Sequence, residues 1–283
     1  MKIIIGLDIG GSTTKVVGFQ GEKFLEVTYV RSSDPVAAAY GGIGKFLNVN
    51  KLKLDDIAQI RMTGVGASYI TQDFFEVETV IADEFEAVGL GGLYISGIDE
   101  AIVVSIGTGT SFVYSNKVRT EHIIGSGVGG GSILGLSNKI FNFRDFDLIS
   151  NLAENGDLTH VDLLVRDISK AVPGLSSDAT ASNFGNVNDD AKPEDLACGV
   201  VNMVFQSIGT MAVLAARLKK VKNIIFVGSV VHIPRGQKSL KQFTELYDVN
   251  IILPENARFS TAIGAALCSN YTKQNRSIYY SDK

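Results

Sequence analysis

"IIIGLDIGGSTTK", residues 3–15, decides the fold of this chain. An apolar run ends at Asp8, and Gly10, Gly11, Ser12, Thr13, Thr14 and Lys15 follow at once. Read alone, the stretch is open between an ordinary strand–turn–strand hairpin and one half of a phosphate clamp. A tight glycine turn exposes backbone N–H groups to an anion, and Ser/Thr hydroxyls add donors. An acid at the strand end suits Mg2+ held through water, because Mg2+ keeps several waters and takes few carboxylates.

A second turn of the same kind weighs on that choice. "GLDIGGSTTKVVGF" (6–19) is echoed by "VSIGTGTSFVYS" (104–115): a buried strand, a Gly/Thr turn, and a strand again. The chain holds 30 glycines against 5 prolines, most of them in short clusters after apolar runs. Clusters of this kind mark places where backbone must approach something closely, not linkers. A Walker A loop requires G-x-x-x-x-G-K-[ST], which no stretch fits, and "GSGVGG" (125–130) matches the dinucleotide pattern only through glycine density.

Residues 3–9, 14–20 and 25–30 read as an antiparallel meander. A helix over 34–47 starts with Asp34 as N-cap and Pro35 at its first position. A strand at 57–64, a short strand, and a helix from near Asp83 follow. After the second turn come a strand and glycine loop leading into a helix, helices at 145–155 and 159–169, and a long apolar helix at 194–220. A strand at 223–229, a helix, a strand and a helix from Ser260 to Thr272 close the chain. This order predicts a duplicated α/β protein with mixed sheets. The division expected is an N-terminal lobe, 1–98, and a C-terminal lobe, 99–283, with a cleft between them.

At 283 residues and 45% hydrophobic, the chain is long enough for a sizeable core. Its 26 basic and 30 acidic residues give a net charge of −4 without a basic patch, which argues against a nucleic-acid partner. No signal peptide or uninterrupted apolar run of membrane-spanning length is apparent. Two cysteines, Cys198 and Cys268, both in apolar helical patterns, point to buried thiols and a reducing cytoplasm. The histidines show no metal-ligand spacing.

The paired turns resemble the actin, sugar-kinase and heat-shock ATPase superfamily, whose fold is a pair of ribonuclease H-like lobes with the nucleotide between them. The later series, "DEFEA" (83–87), "GSGVGGGSILGL" (125–136), "VDLLVRDI" (161–168), "ATASNFGNV" (179–187), "FVGS" (226–229) and "ENARFSTAIGAAL" (255–267), is similar to that of type II pantothenate kinases. The similarity runs from about residue 3 to 268. It implies ATP-dependent, Mg2+-assisted phosphorylation of pantothenate, the first committed step toward coenzyme A, by a homodimer. It places Asp8, Gly10, Gly11, Ser12, Thr13 and Lys15 in the first phosphate loop and Thr108 in the second. It sets Gly130, Gly131, Ser132, Ile133 and Leu134 beside the nucleotide, Phe146 near the adenine, and Ser229 at the last nucleotide contact. Glu84 matches the catalytic base, although an acid at a helix start is also what the helix dipole favours. Ser111 matches a serine that touches pantothenate.

One residue departs from the family. Its members carry an arginine that pairs with the pantothenate carboxylate, and this chain has His122 there. Histidine lacks arginine's fork and carries its charge only when protonated. Arg119, three residues earlier, is the substitute cation. The departure leaves room for pantetheine or another pantothenate-like amide as acceptor, or for an amino-sugar kinase. A different class, ATPase activators of radical dehydratases, shares the opening motif but bridges an iron–sulfur cluster with cysteines in glycine turns.

Overall fold

The computed structural model describes residues 2–170, 174, 176–269 and 271–273. It divides into two compact units that interleave along the chain. The first takes the described residues of 1–103, 113–122 and 254–283; the second takes those of 104–112 and 123–253. The units therefore differ from the division at residue 98: the C-terminal helix returns to the unit built by the N-terminus, and β7 (Glu100–Ile106) and β8 (Thr110–Asn116) each give residues to both.

The first unit is built on a seven-stranded sheet. β1 (Ile3–Ile9), β2 (Thr13–Gln20), β3 (Lys23–Phe24), β4 (Thr28–Arg31), β5 (Ile57–Thr63), β6 (Thr79–Ala82) and β14 (Tyr271–Lys273) lie in the order β14-β6-β5-β1-β2-β3, with β4 also on β2. β1 pairs antiparallel with β2 and parallel with β5, which pairs parallel with β6. β1 reads as a continuous apolar run because it is covered on both faces. Ile3, Ile5, Leu7 and Ile9 are fully buried, and helices α1 (Pro35–Val49) and α8 (Ser260–Leu267) pack against the β1–β2 pair. Helix α1 begins as its sequence requires: the Asp34 carboxylate accepts from the amides of Val36 and Ala37 at 2.9 and 3.0 Å, ahead of Pro35.

Helix α2 (Glu84–Ser96) crosses α8 backbone to backbone. A Cβ on Gly264 would stand 1.7 Å from the Ala87 carbonyl oxygen, and one on Gly91 would stand 1.9 Å from that of Ser260. Side chains cannot occupy this crossing, which is why two glycines of "GLGG" and "AIGAAL" meet there.

The second unit holds β12 (Asn223–Val227), β13 (Asn250–Ile252) and its parts of β7, β8 and the likewise divided β9 (Thr120–Ser126), in the sheet order β13-β12-β7-β8-β9. Helix α6 (Pro193–Lys219) is its centre and packs on α3 (Gly130–Phe141), α4 (Phe146–Asn155) and α7 (Pro234–Tyr247). By length and hydropathy α6 would pass for a membrane span, but 67% of its most apolar window is buried inside the protein.

Two expected helices are corrected. Residues 159–169 do not form one helix: a 3-10 turn (Leu158–His160), a short strand β10 (Leu163–Leu164) and one helical turn, α5 (Val165–Ile168), occupy the segment. Tertiary bonds override the helical pattern. The fully buried Asp162 carboxylate accepts from Phe184 N, Thr180 Oγ1 and Asn202 Nδ2 at 2.9–3.0 Å, while β10 pairs with β11 (Thr180–Ser182). These bonds tie Asp162 and the "SNFG" stretch to α6 through Phe184 and Asn202. The last helix stops at Leu267 instead of reaching Thr272, because Arg61 Nη1 takes the carbonyls of Ala266 and Cys268 at 2.9 and 2.6 Å. A cation at the free carbonyls of a helix end favours termination there. Asn270, within the expected helix, lies outside the described residues.

Candidate active site

The opening motif folds as a hairpin with its acid inside. Register pairs Asp8 with Lys15 across β1 and β2, and Gly10 N donates to Thr13 O at 3.0 Å to close the turn. Gly11 and Ser12 form the exposed tip, and Thr13 is half-buried. Asp8 is nearly buried, and Lys15 Nζ lies 3.0 Å from Asp8 Oδ2. The lysine thus neutralises the aspartate in this structure. The same row continues onto β5, where Thr63 is the register partner of Asp8. The next residue, Gly64, has φ +90°, and a Cβ there would stand 2.6 Å from Ile9 O and 2.8 Å from Asp8 Oδ1. Only glycine fits both the backbone and the space.

In the second unit the glycine loop is laid directly on the second turn. Gly130 N donates to Gly107 O and Gly131 N to Thr108 O, each at 2.9 Å. A Cβ on Gly129 would come within 2.7 Å of Thr108 O. The amides of Gly130 and Gly131 therefore hold the "GTG" turn. Ser132 Oγ donates to Gly127 O and accepts from Gly129 N, which fixes the loop. Thr108 is exposed at the tip, Leu134 is half-buried, and Ile133 is fully buried, so its side chain belongs to the core. Ser111 is half-buried on β8. Ser229 follows Gly228, whose φ of +102° lets the chain pass the Ile106 carbonyl. Phe146 opens α4 with its ring 6.4 Å from that of His232.

Glu84 is the first residue of α2, after the N-cap Asp83, whose carboxylate accepts from Glu86 N. The residue keeps solvent access, yet the protein packed around its carboxyl pushes its pKa above the ordinary 4.5, and the negative charges of Asp8 and Asp83 push the same way. A carboxylate held more basic than usual is what a proton acceptor near neutral pH needs.

An open pocket of about 520 Å³ adjoins this helix start within the first unit. Phe85, Leu90 and Leu267 give it apolar walls; Lys117 and Arg119 give it cations, His122 an imidazole, and Asp83 and Glu86 carboxylates. The His122 ring stacks on Phe85, the neighbour of Glu84, with centroids 3.9 Å apart and planes 22° apart. Arg119 lies over the Tyr114 ring and 3.8 Å from Glu121. The structure therefore brings Arg119 and His122, paired by sequence reasoning, into one pocket. Sequence reasoning missed Phe85, Lys117 and Thr63; for Thr63 no local signal existed, because the pairing of β1 with β5 is what sets it beside Asp8.

The groups around Asp8 suit a hard cation. Asp8, Glu84, Asp83 and Thr63 carry only oxygen donors, the set Mg2+ prefers. Among the described residues no three His, Cys, Asp or Glu are grouped as a self-sufficient metal cage. Any cation here would rest on Asp8, waters and phosphate oxygens. Both cysteines are fully buried, and burial pushes Cys198 up to about 11 and Cys268 up to about 12. Thiols so placed are poor ligands for a surface cluster.

Comparison with known proteins identifies the family. The Fumble family model matches residues 93–248. A type II pantothenate kinase of Staphylococcus haemolyticus is 32% identical over 274 residues, which cover 92% of this chain and 98% of that protein. The Staphylococcus aureus (strain USA300) protein of the same name is 31% identical over 273 residues, covering 92% and 97%.

The chain belongs to the type II pantothenate kinase family.

This family member also shares its fold with more distant solved structures. An activator of 2-hydroxyisocaproyl-CoA dehydratase from Clostridium difficile, solved with bound ADPNP, superposes with a TM-score of 0.67 at 20% identity, covering 94% of this chain and 93% of that one. A ROK hexokinase from Thermus thermophilus superposes with a TM-score of 0.55 at 13% identity, covering 94% of this chain and 97% of that one. The fold of this type II pantothenate kinase family member is that of the actin-like ATPases.

Proposed function

We propose that this chain transfers the terminal phosphoryl group of ATP to the primary hydroxyl of pantothenate, opening the route to coenzyme A. The observation that carries the reading is Glu84, made more basic than an ordinary carboxylate, between Asp83 and Phe85 of a pocket that Lys117, Arg119 and His122 also line. In this reading Glu84 accepts the hydroxyl proton as the oxygen attacks phosphorus. Arg119 and His122 take the carboxylate of the acceptor, and Phe85 packs on its apolar part. Lys15 and the Gly11–Ser12 tip bind phosphate oxygens, with Thr108, Ser229 and Phe146 as further nucleotide contacts. Mg2+, held through Asp8, would neutralise charge on the phosphates. The resemblance extends to a cytoplasmic homodimer, which size-exclusion chromatography with light scattering tests.

His122 narrows the acceptor. Its ring is stacked on Phe85, so it presents an edge, not a fork, to a carboxylate. An ADP-release assay with pantothenate, pantetheine and N-acetylglucosamine tests the assignment. Turnover is expected with pantothenate, and its absence with every pantothenate-like compound would refute the reading. His122→Arg is expected to raise kcat/KM for pantothenate by about tenfold, the gain of one charge-assisted bond.

A further inference from the structure

Four buried side-chain polar atoms lack any hydrogen-bond partner among the described residues: Thr63 Oγ1, Ser137 Oγ, Arg235 Nε and Ser260 Oγ. Thr63 alone of these is a register partner of Asp8. Register partners on neighbouring strands carry their side chains on the same face. Lys15, Asp8 and Thr63 therefore form one row across β2, β1 and β5. Parallel strand β6 ends beside this row at Ala82, and Asp83 and Glu84 follow. Thr63 is also the last residue of its strand, at the carboxyl end of the parallel strands where α/β folds bind ligands.

A buried hydroxyl without a partner costs free energy, and a strand position at 1% exposure would hold valine at equal volume without that cost. The two nearest polar groups in the row are already matched to one another: Lys15 Nζ holds Asp8 Oδ2 at 3.0 Å. Asp8 Oδ1 would stand 2.8 Å from a Cβ on Gly64, the residue immediately after Thr63. The hydroxyl is thus stationed beside the carboxylate but is not used by it.

We propose that Thr63 is a positioning residue: its hydroxyl bonds a water of the hydrated cation at Asp8 and so fixes the approach of that cation to the phosphates. The inference rests on the reading of Asp8 as the cation carboxylate. Groups that orient a metal's outer shell typically change affinity or activity by 10–100-fold when removed. A threonine that merely fills the core would leave cation affinity untouched.

Mn2+ binding in the presence of ADPNP, followed by electron paramagnetic resonance on the full-length protein, tests this. Thr63→Val is expected to weaken Mn2+ at least about tenfold while leaving the melting temperature unchanged or higher, because it removes an unsatisfied hydroxyl. Thr63→Ser is expected to retain wild-type affinity. Asp8→Asn serves to separate the two readings. If Asp8→Asn weakens Mn2+ and Thr63→Val does not, the role of Thr63 is overturned and that of Asp8 stands. If neither variant changes Mn2+ affinity, both are overturned.

Discussion

Glu84 is a generic helix-start acid in sequence, and the tertiary structure gives it the surroundings that the proposed base requires. The helix dipole at the first turn of α2 would lower its pKa, yet burial, Asp8 and Asp83 together raise it. Glu84→Gln is therefore expected to lower kcat by about 10²–10⁴-fold, the usual worth of a general base. The raised pKa also sets the sign of the pH response. Below it Glu84 is protonated and cannot accept the hydroxyl proton, so kcat/KM falls on the acid side at a pH above the ordinary carboxylate range. Asp83→Asn removes one of the two negative neighbours and is expected to move that acid limb to lower pH. An unmoved limb in Asp83→Asn would mean that Glu84 is not the titrating group.

Among the elements, the crossing of α2 and α8 depends most directly on residue size. Gly264→Ala drives a methyl group against the Ala87 carbonyl, and backbone cannot yield as a flexible side chain does. Overpacking of this kind costs about 3 kcal/mol or more. At roughly 2 °C per kcal/mol, the melting temperature should drop by about 6 °C or more in calorimetry. Since α2 begins at Glu84, part of the loss should also appear in kcat. Strands, helix α1 with its Asp34 cap, and the long α6 were legible because periodicity and capping are local signals. The 159–169 segment was not: its helical pattern yields to Asp162, whose partners Thr180, Phe184 and Asn202 come from far along the chain.

For the whole molecule, the two thiols separate the kinase from an activator of the same fold. Cys198 and Cys268 are fully buried, with pKa values pushed up to about 11 and about 12. Neither is expected to react with a disulfide reagent at pH 8 until the protein unfolds, when both should. Iron in anaerobically purified protein, together with two accessible thiols in the native state, would contradict the kinase reading. The interleaved units also explain why a division at residue 98 was natural from sequence yet differs from the one observed. Motif repetition marks where each turn begins, whereas compactness depends on where α8 returns, and α8 packs on β1, β2 and β5 of the opening segment.

By itself the sequence determined the two Gly/Thr turns, the family, and the candidates Asp8, Glu84, Arg119 and His122, because glycine spacing and local polarity are written residue by residue. Tertiary structure alone decided that the amides of Gly130 and Gly131 hold the second turn, that His122 stacks on Phe85, and that the Thr63 hydroxyl, without a partner among the described residues, stands beside Asp8. Those outcomes depend on which strands lie side by side and which backbones touch. Such contacts join residues distant in sequence, and no local pattern encodes them.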